Sequence, residues 1–226
     1  MFLMLGLSAL AGMLLPGLER RRAVARAMSR ALLRTTGMPL IVKSAERIPD
    51  GQCVIVSNHA SYLDGLVFTA ALPPRFGFVI KREMENVPVA GTLLRRLGHE
   101  FVERFNRNRG GMDARRVLRT ASNGNSLVFF PEGTFVARPG LGKFHAGAFT
   151  VAARAGCPVV PAVIRGTRRA LPPKKGWPHP SAIEIEFLEP ILPESTAPAD
   201  AAVELRDRAR MAILDELKEP DLAAVA

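Results

Sequence analysis

The chain has 226 residues, 48% of them apolar, with 18 Pro and 19 Gly. That suffices for one well-buried α/β domain with an N-terminal attachment, and no long stretch has the polar composition of disorder. Its 31 Lys and Arg against 21 Asp and Glu leave a net charge of +10, which calls for an anionic partner. There is no zinc-finger spacing and no aromatic-rich strand of the single-strand-binding type, so nucleic acid is set aside in favour of anionic lipid or phosphorylated small molecules.

The first segment, MFLMLGLSALAGMLLPGL, carries no charge before Glu19. An 18-residue helix reaches ~27 Å, just short of a ~30 Å hydrocarbon core, and Pro16 interrupts it. The charges follow the apolar stretch, the reverse of a secretory signal. Next comes RRRAVARAMSRALLR, where Arg22, Arg26, Arg30 and Arg34 recur every four residues beside Val24, Ala27, Met28, Ala31 and Leu32. Residues 1–36 therefore read as a membrane-docking segment, peripheral or monotopic on the cytoplasmic face, with arginines on lipid phosphates. Residues 37–226 form the folded domain beside it. The alternative is a core helix followed by a solvated basic helix.

From residue 37 the pattern switches to short apolar runs: PLIVK, QCVIVS, FGFVIK, HEFVER, SLVFFP, PVVPAVIR and AIEIEFLE. Their length and their Val, Ile and Phe content mark strands. Helical spacing over 64–72, 88–97, 111–122 and 146–155 alternates with them, and an amphipathic helix is expected over 199–218. Such alternation predicts an α/β fold with a mixed, largely parallel central sheet flanked by helices. Cys53 and Cys157 each fall within a strand-like run, without metal-ligand spacing, and read as buried core thiols.

Ligands of such folds gather beyond the carboxyl ends of the strands, and that is where the chemistry-bearing residues lie. SNHASYLD follows QCVIVS and places His59 five residues before Asp64. If the chain turns tightly at 60–63, the carboxylate holds one ring nitrogen and leaves the other to act as a general base. A satisfied structural histidine explains the same spacing. FFPEGT closes another apolar run, presenting Glu132 on a tight bend in which Gly133 lets the backbone approach a ligand closely. Cations follow several strands: Lys81 and Arg82, Arg104 and Arg107, Arg138 and Lys143, each suited to phosphate. No GxSxG elbow and no Cys beside a His supports a nucleophile on the enzyme, so the base would activate a substrate hydroxyl.

Together NHASYLD (58–64), GHEFVER (98–104), FPEGT (130–134) and VVPAVIRGT (159–167) resemble, in order and spacing, the four motif blocks of the glycerolipid acyltransferases typified by lysophosphatidic acid acyltransferase. The resemblance covers residues 40–190. It implies that His59 deprotonates an acceptor hydroxyl, that Asp64 orients it, and that the hydroxyl attacks an acyl thioester directly, without an acyl-enzyme. It implies a substrate-binding set of Asn58, Lys81, Arg104, Glu132, Gly133, Thr134 and Lys143 around the acceptor phosphate. The donor would be acyl-CoA or acyl-carrier protein, the acceptor a lysophospholipid at a membrane surface, with no cofactor and no metal. Two departures stand out. Phe135 follows FPEGT where members specific for glycerophosphate carry Arg, and Glu103 stands where an Asp is common. These departures open the acceptor to another lyso-lipid, such as an amino-acid-derived one. A metal-dependent hydrolase built on His59, Asp64 and Glu132, or a non-catalytic lipid-surface module, are the readings of another class.

Overall fold

The structure is a computed structural model that describes residues 15–103, 107–172 and 177–224, with backbone alone over 107–111. The apolar segment 1–14 and Arg104 lie outside the described residues, as does the Arg107 side chain. In chain order the elements are α1 (Leu18–Thr35), β1 (Leu40–Lys43), β2 (Val54–Ser57), α2 (Asp64–Ala71), β3 (Phe76–Lys81), α3 (Ala90–Arg96) and β4 (Glu100–Val102). There follow α4 (Arg107–Ser122), β5 (Ser126–Phe129), α5 (Gly147–Ala155), β6 (Val159–Arg165), α6 (Thr167–Ala170), β7 (Ile183–Phe187) and α7 (Pro198–Leu217).

All seven apolar runs become strands of one sheet in the order β1-β7-β6-β2-β5-β3-β4. β6, β2, β5, β3 and β4 run parallel, whereas β7 is antiparallel to β6 and β1 follows β7. β2 and β5 are buried at every position because helices cover both sheet faces, which is why they read as unbroken apolar runs rather than as alternations. Successive residues still divide between faces. Val54, Val56, Leu127 and Val159 pack with Phe149, Leu205 and Ile213 of α5 and α7. Cys53, Ile55, Val128 and Val160 pack with Leu33 of α1 and Val67 and Phe68 of α2. Both cysteines are buried and unpaired, as expected.

The basic helix α1 carries out less surface chemistry than its sequence suggests. Leu32 and Leu33 are buried. Arg22 donates to the carbonyls of Leu97, Arg75 and Gly98 at 2.8–3.1 Å. Arg26 and Arg30 donate to Ala71 and Ala70, and Arg21 donates to Arg96. Ala70, Ala71 and Arg96 are last-turn residues of α2 and α3, whose end carbonyls lack helical partners and carry the negative end of the helix dipole, and Arg75, Leu97 and Gly98 lie just beyond those two helices. Three of the four arginines in the stripe are thereby turned to the protein rather than to lipid phosphates. Burial, with Arg21 adding, lowers the Arg22 guanidinium to about 10. Among the described residues no helix is long and apolar enough to cross a membrane.

Candidate active site

Five parallel strands bring five carboxyl ends to one rim, and β2 supplies its centre. Beyond Ser57 the side chain of Asn58 takes the place of a peptide group. Its Oδ1 accepts the Ile164 N–H at 2.8 Å and its Nδ2 donates to the Ile164 carbonyl at 3.0 Å. Asn58, expected from the resemblance among the substrate contacts, is buried and has both ends of its amide bound to β6. This pairing prolongs the β2–β6 ladder and ends it at a fixed point, from which His59 departs.

The turn at 60–63 closes as the spacing predicted. Asp64, the first residue of α2, is fully buried. Its Oδ2 accepts the N–H groups of Ala60 at 2.7 Å and Ser61 at 2.9 Å and lies 2.7 Å from His59 Nδ1. A carboxylate only accepts, so Nδ1–H is the donor of this contact and Nε2 is the ring nitrogen that Asp64 leaves unengaged. Asp64 Oδ1 is buried without a partner among the described residues. The imidazole retains 19% side-chain exposure. Phe130 stacks on it at 4.5 Å, and Phe135 meets it edge-on at 4.6 Å. Those rings hold the imidazole plane while Asp64 holds one of its corners.

Glu132 reaches the same turn from β5. Its Oε1 accepts the His59 backbone N–H at 2.7 Å and its Oε2 accepts the Gly142 N–H at 2.7 Å. Burial pushes the carboxyl above its usual range, against the pull of those two N–H groups. Gly133 has φ +76° and its N–H closes the turn onto Phe130, a conformation that favours glycine. The loop carrying Gly142 is itself held by the C-terminal segment. Leu141 N–H donates to Pro220 O and Leu222 N–H to Leu141 O, while Arg210 Nε donates to Gly142 O. That strap left no signal in the sequence.

The basic residues divide. Arg82 pairs with Asp113 and Glu85 and is committed to the fold. Lys81, Arg138 and Lys143 are exposed on segments at or beyond the strand ends, with no partner among the described residues, and Thr134 is exposed beside Gly133. Among the described residues no three His, Cys, Asp or Glu side chains are grouped to hold a metal. The donors a hydrolase would use, Asp64 and Glu132, are committed to N–H groups.

A family model described as Acyltransferase matches residues 39–165, which span the turns carrying His59, Asp64 and Glu132. The chain belongs to the acyltransferase family. It is 36% identical over 135 residues to a chloroplastic 1-acyl-sn-glycerol-3-phosphate acyltransferase of Brassica napus, covering 58% of this chain and 38% of that one. It is 31% identical over 179 residues to a 1-acyl-sn-glycerol-3-phosphate acyltransferase of Chlamydomonas reinhardtii, covering 79% of this chain and 52% of that one. The chain thus spans about half or less of the length of these relatives. The crystal structure of the 1-acyl-sn-glycerophosphate acyltransferase PlsC of Thermotoga maritima superposes with a TM-score of 0.78 over 94% of this chain and 86% of that one, at 22% identity. The acyltransferase fold is shared well beyond the level of sequence identity.

Proposed function

We propose that the protein transfers a fatty acyl group from an acyl thioester, acyl-CoA or acyl-carrier protein, to the free hydroxyl of a lysophospholipid such as lysophosphatidic acid. The reading rests on one observation, the 2.7 Å contact between His59 Nδ1 and an Asp64 oxygen that is already fixed by two backbone N–H groups. His59 Nε2 takes the proton of the acceptor hydroxyl as that oxygen attacks the thioester carbonyl. Asp64 stabilises the imidazolium as it forms. The tetrahedral intermediate collapses, the C–S bond breaks, and the proton passes from the imidazolium to the departing thiolate sulfur. The products are the ester and a free thiol.

Direct transfer is supported by the state of the candidate nucleophiles. Cys53 and Cys157 are buried, and burial pushes both thiols up to about 11. Ser61 Oγ donates to the Leu171 carbonyl at 2.8 Å. Lys81, Lys143 and Thr134 are exposed on segments at or beyond the strand ends, and in this reading they meet the acceptor phosphate together with Gly133. Phe135 against the base favours, as a second acceptor class, a lyso-lipid whose headgroup does not demand a guanidinium at that position.

The test is transfer of a labelled acyl group from both thioesters to a panel of lyso-lipids, with and without chelator. Transfer that survives chelation and disappears in His59→Ala is expected. Acylation that persists in His59→Ala, or that is lost on chelation alone, overturns the proposal.

A further inference from the structure

Helix α7 ends beside the last residue of β6, where Arg165 donates to the carbonyl and the carboxylate of Glu216, both at 2.6 Å. Lys218, at φ +56°, takes the left-handed conformation that stops the helix. The chain then runs back over the loop that carries Gly140, Leu141 and Gly142. Leu141 N–H donates to Pro220 O at 2.9 Å and Leu222 N–H to Leu141 O at 3.0 Å, a single parallel bridge between Leu141 and Asp221. The approach is close: a Cβ on Gly140 would meet Leu222 Cγ at 2.5 Å and Pro220 O at 2.8 Å.

Side chains fasten the crossing from both sides. Glu219 Oε2 accepts the Gly140 N–H and Oε1 accepts from the Arg168 guanidinium, each at 2.6 Å. Asp221 pairs with Arg210 of α7, whose Nε donates to Gly142 O at 3.1 Å. Arg210 thus holds the carbonyl of Gly142 while Glu132 holds its N–H. The other oxygen of Glu132 accepts the His59 N–H. Bonds therefore run without a gap from Asp221 through Arg210, Gly142 and Glu132 to the backbone of His59. Among the described residues the buried apolar core ends at Leu217, and residues 219–222 are half-buried or exposed. A segment that buries so little apolar surface adds little stability by area, and its directed bonds fix the place of one loop.

We propose that residues 219–222, together with Arg210, are a positioning strap for His59. They hold Gly142 where Glu132 takes its second N–H, and Glu132 in turn holds the backbone that carries the imidazole. The proposal rests on the reading of His59 as the base and adds residues that act on it from outside the site.

The test uses the full chain with Asp221→Ala and, separately, Arg210→Ala. Asp221 lies outside the buried core, so that variant decides should Arg210→Ala not fold. Arg206→Ala, which breaks the Arg206–Asp207 pair elsewhere on α7, is the control. kcat is measured well below the melting temperature, and amide exchange at His59 is followed against Val54, whose N–H donates to Pro158 O in the core. Both strap variants are expected to lower kcat about tenfold, since a misplacement of ~1 Å costs up to ~100-fold in rate. Both are also expected to speed His59 exchange about tenfold relative to Val54, and the control to change neither. Exchange that rises equally at His59 and Val54 reports general loosening and overturns the proposal, as does a His59 amide that exchanges as in the natural chain. Faster His59 exchange with kcat unchanged overturns it too, and so does a raised KM with kcat and His59 exchange unchanged, which assigns the strap to Lys143. A natural chain that acylates no acceptor, while His59 exchange still quickens in the variants, sinks the acyl-transfer reading and leaves the strap in place.

Discussion

The backbone N–H of His59 donates to Glu132 Oε1 at 2.7 Å, across 73 residues of sequence. With Gly142 N–H on Oε2, the carboxylate of the FPEGT turn ties together the strand end that carries His59 and the loop that carries Lys143. Glu132→Gln puts an NH2 group against one of these N–H groups and leaves that donor unsatisfied, at about 1–3 kcal/mol. The melting temperature is expected to fall by several degrees, with kcat dropping more than KM rises. An unchanged melting temperature with a raised KM for the phosphate-bearing acceptor would return Glu132 to the role of a substrate contact.

Asp64→Asn preserves an oxygen for Ala60 and Ser61 N–H and removes the charge opposite the imidazolium. Turnover is expected to fall by roughly 10²–10⁴-fold with KM little altered, measured by steady-state kinetics alongside a thermal melt. Near-normal kcat would show that orientation alone matters.

Phe135 stands 4.6 Å from the His59 ring, where the motif pattern leads one to expect a guanidinium. Phe135→Arg is expected to raise kcat/KM for lysophosphatidic acid relative to a lysophospholipid with an esterified phosphate by about tenfold, the worth of one charge-assisted contact. It also strips the edge contact from His59 and Tyr62, so the absolute rate is expected to drop for both. A ratio that does not move would place the phosphate elsewhere on the rim.

His99 lies off the site, where Nδ1 accepts the Phe78 N–H at 3.2 Å and the ring meets Phe78 edge-on. Burial, with Arg22 adding, pushes the imidazole down to about 3. A depressed value means that the native state excludes a proton which the unfolded chain takes up near its ordinary ~6.5. This contribution to stability is therefore complete above that pH and is lost as pH falls from there toward about 3. Melting temperature measured from pH 7 to pH 4 is expected to decline more steeply for the natural chain than for His99→Asn, whose side-chain oxygen can still accept from Phe78. Parallel curves would assign acid sensitivity to another group.

Leu33 of α1 is fully packed against Met38, Val67 and Phe68 in one of the two cores. Leu33→Ala is expected to cost about 2–5 kcal/mol, whereas Arg34→Ala, at an exposed position, should stay within ~0.5 kcal/mol. Chemical denaturation of the two variants decides whether α1 is part of the domain or an appendage resting on it.

The seven strands were legible because each is a short run rich in Val, Ile and Phe, a property local to the run, and β2 and β5 are buried at every position. The His59–Asp64 pair was legible because it closes within five residues, and a turn of that length leaves few geometries open. Helix α1 was legible as amphipathic, but its arginines carry no mark of which way they face.

What the sequence by itself determined is therefore local: strand positions, the rim at the ends of the parallel strands, and a histidine beside a carboxylate. Tertiary structure decided where long polar side chains end up. Asn58 finds Ile164 across 106 residues and Arg22 finds Gly98 across 76. Packing decides which unpaired carbonyls and N–H groups come within reach, and a buried polar group must bind whatever packing presents to it. The sequence names the donor and the acceptor, and only the fold brings them to the same place.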